Sequence, residues 1–454
     1  MIKPHGHDAS EGDVNSSEAR LRYREDMIER SKARRLLSRD SEAFLHQSLS
    51  TPCLNAVISA RGSRLVDADG RGLLDFHGNS AHQVGYGHPA VISAITRQME
   101  ELPFCPRRYT NEPAVRLAEE LVRVTGGELG KVLLMPGGAL AVGAAMKLAR
   151  VATGRFKFLS MWGSFHGASL DAISVGGESV FRTGMGPLLP GCHLVHPCAP
   201  SSCQHGCGGP CSGRGARAIE DVLAREGDIA ALIAEPIRCT TIEVPPRDYW
   251  ARVRDACRRN GTLLIFDEIP IALGRTGRFF AYEHFGVVPD ILVIGKGLGG
   301  GIIPQAAMLA RADLDVAGHT ALGHYTHEKS PVGSAAALAT LGVIAEERLV
   351  ERSAMLGAAW MTQLREALGS CGVLREVRGL GLLVGVELDA GSPARTGRLC
   401  DETLYQSLRR GLSFKVSDSR VLTLTPPLTV TREELCEATG ILAEAVDAAL
   451  GVVS

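Results

Sequence analysis

The stretch DILVIGKGLGGG, residues 290–301, carries the apolar run Ile291–Ile294 straight into a lysine flanked by glycines. Leucine and β-branched residues bounded by glycine read as a buried strand. Lys296 then stands at the end of that strand, in a loop with almost no other side chains. Three readings are open. A lysine after a strand is ordinarily a solvated loop charge, and glycines are ordinary turn residues. A phosphate loop needs four residues between its first Gly and Gly-Lys, then Ser or Thr after the lysine. Gly297 occupies that last place, which counts against nucleotide binding. The third reading is a Schiff-base lysine, favoured by desolvation and by the close approach that glycine permits. It requires partners elsewhere in the chain.

Outward from this stretch, strand-like runs alternate with helix-like ones from about residue 88 to about 335. KVLLM precedes ALAVGAAMKLARVAT, FKFLSM precedes GSFHGASLDAISV, and IAALIAE precedes DYWARVRDACRRNG, with TLLIFDE following. Such alternation predicts an α/β fold with a mainly parallel sheet. RLVDADGRGLLDFHGN reads as a hairpin turning at Asp69-Gly70. SPVGSAAALATLGVIAEERLVERSAML reads as one long helical stretch. LREVRGLGLLVGVEL and a last helix then form a separate α+β lobe. SEARLRYREDMIERSKARRLLSRD reads either as a surface helix or as a solvated arm.

Composition bounds the function classes. The chain has 454 residues, long enough for one large and one smaller domain. With 49 basic and 50 acidic residues, it offers no electrostatic case for nucleic acid or a membrane surface. No apolar run reaches the ~18 residues of a membrane span, and the polar start carries no signal peptide. Twelve cysteines in that context are expected to be reduced thiols, in a cytoplasmic protein. Four of them, Cys198, Cys203, Cys207 and Cys211, share a Gly/Pro/Ser-rich loop with His205. Their spacings are not those of a Cys-x2-Cys knuckle, so reduced thiols or a local crosslink are expected rather than a metal.

In parallel α/β sheets, functional groups collect at the carboxyl ends of strands. Here those ends carry Asp267 and Glu268 after TLLIF, Glu235 after ALIA, Gly137-Gly138 after VLLM, and Lys296. An Asp at a strand end can be a helix cap, and it can also pair with a protonated pyridine nitrogen. Gly137-Gly138 ahead of a helix exposes amides for a phosphate. Phe165 of GSFHG can stack on a ring or pack in the core.

FDEIPIALGRTGRFFAYEHFGVVPDILVIGKGLGGGIIP, residues 266–304, resembles the signature of class III, fold type I, pyridoxal-phosphate aminotransferases. The resemblance covers about residues 50–445. It implies a pyridoxal 5'-phosphate cofactor and a small-molecule amine substrate. It implies a large cofactor-binding domain, residues 76–335, and a smaller α+β domain formed by residues 1–75 and 336–454. Lys296 is then the Schiff-base lysine and Asp267 the pyridinium partner. Gly138 and Ala139 supply phosphate-loop amides, Phe165 stacks on the cofactor, and His166 lies beside it. Glu235 and Ile269 are further cofactor contacts. Thr326, five residues before Pro331, matches a phosphate-binding threonine donated across a homodimer interface with shared active sites.

Three departures from the family pattern bear on activity. Ala139-Leu140-Ala141 replaces the usual Ser-Glu-Ala, which removes a phosphate hydroxyl contact. Pro270 replaces a Gln and has no donor. TLTPPL places Thr423 where the family's α-carboxylate arginine stands in RLAPPL, and a neutral hydroxyl is no substitute for a bidentate guanidinium. Transamination with a keto acid is therefore in question. CPRRYTN, GHYTHEKSP and GLSFKVSDSRVLTLTPPLT resemble a subgroup of lyases acting on small β-substituted amines. A phosphonate-bearing substrate would call for cations. Arg107 and Arg108 are the candidates; adjacent arginines are more often one buried and one solvated, so at most one is expected to bind the substrate directly. An acid is needed for the leaving hydroxyl, from Lys296, His82 or the YTHEKSP loop.

Overall fold

A computed structural model describes residues 17–47, 53–207 and 212–453. Its contacts divide the chain into two compact units. Unit 1 comprises Met1–His88, Thr240–Ile242 and Glu351–Ser454; unit 2 comprises Pro89–Cys239 and Glu243–Val350.

Unit 1 begins with helical residues Glu18–Tyr23, a π-turn Arg24–Ile28 and a helix Ala33–Ala43. The charged stretch is thus helical and anchored, because Tyr23 is buried against Tyr405 with ring centroids 5.6 Å apart. Three strands follow: β1 (Val57–Arg61), β2 (Arg64–Asp67) and β3 (Gly72–Asp75). β2 and β3 form the expected hairpin, with Gly70 at φ +85 in the turn.

Unit 2 holds a seven-stranded sheet built from β4 (Lys131–Met135), β5 (Lys157–Met161), β6 (Cys192–Val195), β7 (Ile229–Ala234), β8 (Leu263–Asp267), β9 (Ile291–Ile294) and β10 (Ala306–Ala310). The spatial order is β4-β10-β9-β8-β7-β5-β6, and β10 alone runs antiparallel to its neighbours. β7, β9 and β10 are buried along their whole length, which explains their unbroken apolar sequences. The helix Gly138–Thr153 lies against this sheet through Ala141, Val142, Ala144, Ala145 and Ala149. Small residues on that helix let it pack closely.

Two sequence expectations need correction here. GSFHGASLDAISV is mostly loop, with a helix only over Leu170–Val175. The long helical stretch after Ser330 is two helices, Pro331–Glu346 and Leu349–Leu368, broken where Arg348 takes φ +51. β6 and β10 were not anticipated.

The remaining strands of unit 1 are β11 (Leu374–Leu380), β12 (Leu383–Leu388), β13 (Leu412–Ser413), β14 (Lys415–Ser417) and β15 (Val421–Leu424). β13 joins β1–β3, and the others form a sheet of order β11-β12-β15-β14. Helices Pro393–Arg410 and Arg432–Val453 complete the unit. No helix of the described residues is long and apolar enough to cross a membrane.

Candidate active site

β8 delivers Asp267 at its last residue, buried, and the chain then turns so that the Ile269 amide donates to Asp267 Oδ1 at 3.0 Å. The other oxygen, Oδ2, accepts from His166 Nδ1 at 2.8 Å. Glu268 points elsewhere. Its two oxygens accept from the amides of Ala281 and Tyr282 at 2.6 and 2.7 Å, so it ties down the next turn. Burial pushes its carboxyl up to about 8, against the pull of those amides.

β9 ends at Ile294, and Lys296 opens a 3-10 turn, Lys296–Gly299. Residues 289–300 are all buried except Lys296, which is exposed. It is also a non-glycine residue in the left-handed region, at φ +47, a conformation that costs on the order of 1 kcal/mol. The fold therefore holds a cationic side chain out of an otherwise closed strand end.

The helix Gly138–Thr153 begins here with no side-chain cap at Gly137, leaving its first amides available to an anion. A Cβ on Gly138 would lie 2.8 Å from Ile269 Cδ1, and one on Gly295 would lie 3.5 Å from Ile269 Cγ2. Gly167, at φ +127, packs on Ala139, where a Cβ would meet the alanine's own at 2.6 Å. Gly138, Ala139, His166, Asp267, Ile269 and the Gly295-Lys296 step thus meet in one place.

Glu235, just past β7, accepts from the Cys239 amide at 3.0 Å. The Cys239 thiol is pushed up to about 11, chiefly by burial; Lys296 and Arg275 pull it down, while Glu235 and Asp267 push it up. All four charges therefore act on one atom. Burial pulls the enclosed Arg275 down to about 10. Sequence reading missed Cys239, Arg275, and the serines Ser160 and Ser164 near His166. None belongs to a residue type or spacing that marks a site by itself.

Phe165 is half-buried, its ring 4.5 Å from that of Phe181. Thr326 is exposed. Arg107 and Arg108 are both exposed, contrary to the expected split, and the Arg107 guanidinium meets the His324 ring. His82 belongs to unit 1; it is buried, with Nε2 3.0 Å from the Asp75 carbonyl oxygen, and it packs against Gly78 and Tyr86. Thr423, also in unit 1, donates to the Thr240 carbonyl at 2.7 Å and lies 3.0 Å from Ser417 Oγ. Of the clustered cysteines, Cys211 lies outside the described residues. No group of three or more His, Cys, Asp or Glu among the described residues could hold a metal ion.

A buried carboxylate, an outward lysine at a strand end and an uncapped helix start on adjoining elements fit a phosphorylated pyridine aldehyde. The chain belongs to the class III aminotransferase family, whose model matches residues 46–446. It is an enzyme dependent on pyridoxal 5'-phosphate, acting on small amines. It is 45% identical to the (R)-1-hydroxy-2-aminoethylphosphonate ammonia-lyase of Vibrio splendidus, over 97% of this chain and 95% of that one. It is 35% identical to the acetylornithine aminotransferase of Methanosarcina mazei, over 85% and 90%. Among solved structures, a PLP-bound amine transaminase from an uncultivated Pseudomonas species superposes with a TM-score of 0.82. That pair is 31% identical, over 91% of this chain and 99% of the other.

Proposed function

We propose that this enzyme is an ammonia-lyase that converts (R)-1-hydroxy-2-aminoethylphosphonate to phosphonoacetaldehyde and ammonia, in phosphonate catabolism. The observation that carries the reading is the 45% identity, over nearly the whole of both chains, to a protein of that activity. Thr423 supports it. Its hydroxyl is engaged with Thr240 and Ser417, so that position offers no cation for an α-carboxylate, and this substrate has none.

The cofactor, when bound, supplies an electron sink for the carbon that bears the substrate nitrogen. Asp267 would face its ring nitrogen, and the amides of Gly138 and Ala139 would hold its phosphate. Lys296 Nζ removes the hydrogen from that carbon and returns a proton to the departing β-hydroxyl. Water then restores a carbonyl and releases ammonia, so the net change is loss of ammonia with no external acceptor. His82 is not assigned as the acid, because its ring is buried and bonded to the Asp75 backbone. One of Arg107 and Arg108, both exposed in the single chain, remains the proposed phosphonate cation, in a cytoplasmic homodimer that shares its active sites.

The test measures ammonia and aldehyde over many turnovers with keto acids rigorously excluded. Sustained release supports the lyase. Product that stops at one equivalent per site and resumes on adding pyruvate means a transaminase instead.

A further inference from the structure

The bonds around Asp267 extend beyond His166 to two serines that the reaction described above does not use. A carboxylate only accepts, so His166 Nδ1 carries the hydrogen it shares with Asp267 Oδ2. In the neutral ring Nε2 is then a bare acceptor. It lies 3.4 Å from Ser160 Oγ, and Ser160 Oγ lies 3.4 Å from Ser164 Oγ. Ser164 has committed its proton, donating to the Met161 carbonyl at 2.8 Å. The one proton of Ser160 therefore has two acceptors, His166 Nε2 and Ser164 Oγ. All three side chains are buried, so no bulk water competes. The turn itself is held closely: a Cβ on Gly177 would come within 2.2 Å of the Met161 carbonyl oxygen.

We propose that Ser160 is a positioning residue: its hydroxyl holds His166 Nε2 and so keeps the Nδ1 hydrogen of His166 directed at Asp267. Asp267 is the carboxylate assigned above to the cofactor ring, so the consequence for the cofactor rests on that assignment. The bond to His166 itself does not. The serine pair has a second property. If Nε2 gains a hydrogen, Ser160 accepts it and donates to Ser164, which still donates to Met161. Neither arrangement leaves a buried polar group without a partner, which would otherwise cost the site its rigidity.

The experiment uses full-length protein labelled with 15N-histidine, loaded with cofactor and stripped of it. The His166 signals are assigned with His166→Asn. In Ser160→Ala the Nε2 resonance moves toward that of an unbonded ring nitrogen while Nδ1 stays in place, and Ser160→Thr restores it. Ser164→Ala removes the competing acceptor, so Nε2 moves the opposite way. Cofactor binding weakens about fivefold in Ser160→Ala and not in Ser164→Ala. An Nε2 signal unmoved in Ser160→Ala overturns the assignment, and so does equal weakening of cofactor retention by both alanines. If Ser160→Ala does not fold, a stationary Nε2 in Ser164→Ala overturns it independently. A shifted Nε2 with unchanged cofactor affinity retains the bond to His166 and removes the role toward the cofactor.

Discussion

Lys296 illustrates how one side chain can be set against its own backbone. At φ +47 it occupies a conformation that glycine adopts without cost. Lys296→Ala should abolish turnover and leave unit 2 folded. Lys296→Gly should be equally inactive yet more heat-stable than the alanine variant, by about 1 kcal/mol. Paired activity and melting measurements check this; equal melting temperatures would remove the strain argument. Asp267→Asn should lower turnover by orders of magnitude, because an amide cannot hold a charge on the cofactor ring. Glu178 makes a separate prediction. It is buried, its Oε2 has no hydrogen-bond partner among the described residues, and burial pushes its carboxyl up to about 7, helped by Glu235 and opposed by Arg238. A raised carboxyl pKa means that the folded state binds the proton more tightly. The stabilisation is complete below about pH 4.5 and is lost as pH rises through about 7, by roughly 3 kcal/mol in all. Glu178→Gln should flatten that decline, as read from melting temperature against pH.

Strand register decides what a substitution at position 423 would meet. β15 places Thr423 opposite Gly385 on β12 and opposite Lys415 on β14. Directly opposite residues share a face, so an arginine at 423 would lie beside Lys415. Burial already pulls that lysine down to about 7. Thr423→Arg therefore adds a second cation to a buried polar face and breaks the bonds to Thr240 and Ser417. It should destabilise the protein by several kcal/mol, on the order of 3, and should not create transaminase activity. Denaturant unfolding measures the first effect, and alanine formation from pyruvate the second. Gly177 offers a comparable test in unit 2. Its missing side chain lets the backbone close on Met161 and Gly163, beneath the turn that carries Phe165 and His166. Gly177→Ala should lower both the melting temperature and cofactor affinity, because the backbone it would meet, at Met161, is the end of β5 and leads into that turn.

For the assembled enzyme the expectation is a homodimer, with a sedimentation mass twice 48.3 kDa. Thr326→Ala should leave that mass unchanged while loosening cofactor retention, whereas a monomeric wild-type enzyme would remove Thr326 from the phosphate site. Much of this molecule is legible in its sequence. The buried parallel strands announce themselves as IAALIA, LLIF and ILVI, because strands enclosed on both faces need apolar residues throughout. Their carboxyl ends hold the lysine and carboxylates that point to cofactor chemistry. Elsewhere the chain gave no warning. AAMLA carries no mark of running antiparallel, since strand direction depends on which neighbours it pairs with. CPRRYTN suggested one buried arginine, yet both are exposed, because burial follows from the surrounding elements rather than from adjacency. His82, a candidate acid by type, is occupied by the Asp75 backbone. Ser160 and Ser164 looked like ordinary polar residues until folding brought His166 between them and Asp267. Local composition thus determined which segments could be buried and which chemistry was available. Tertiary folding determined direction, exposure and hydrogen-bond partners, because each depends on the path of the folded backbone and on partners such as Asp267, 101 residues from His166.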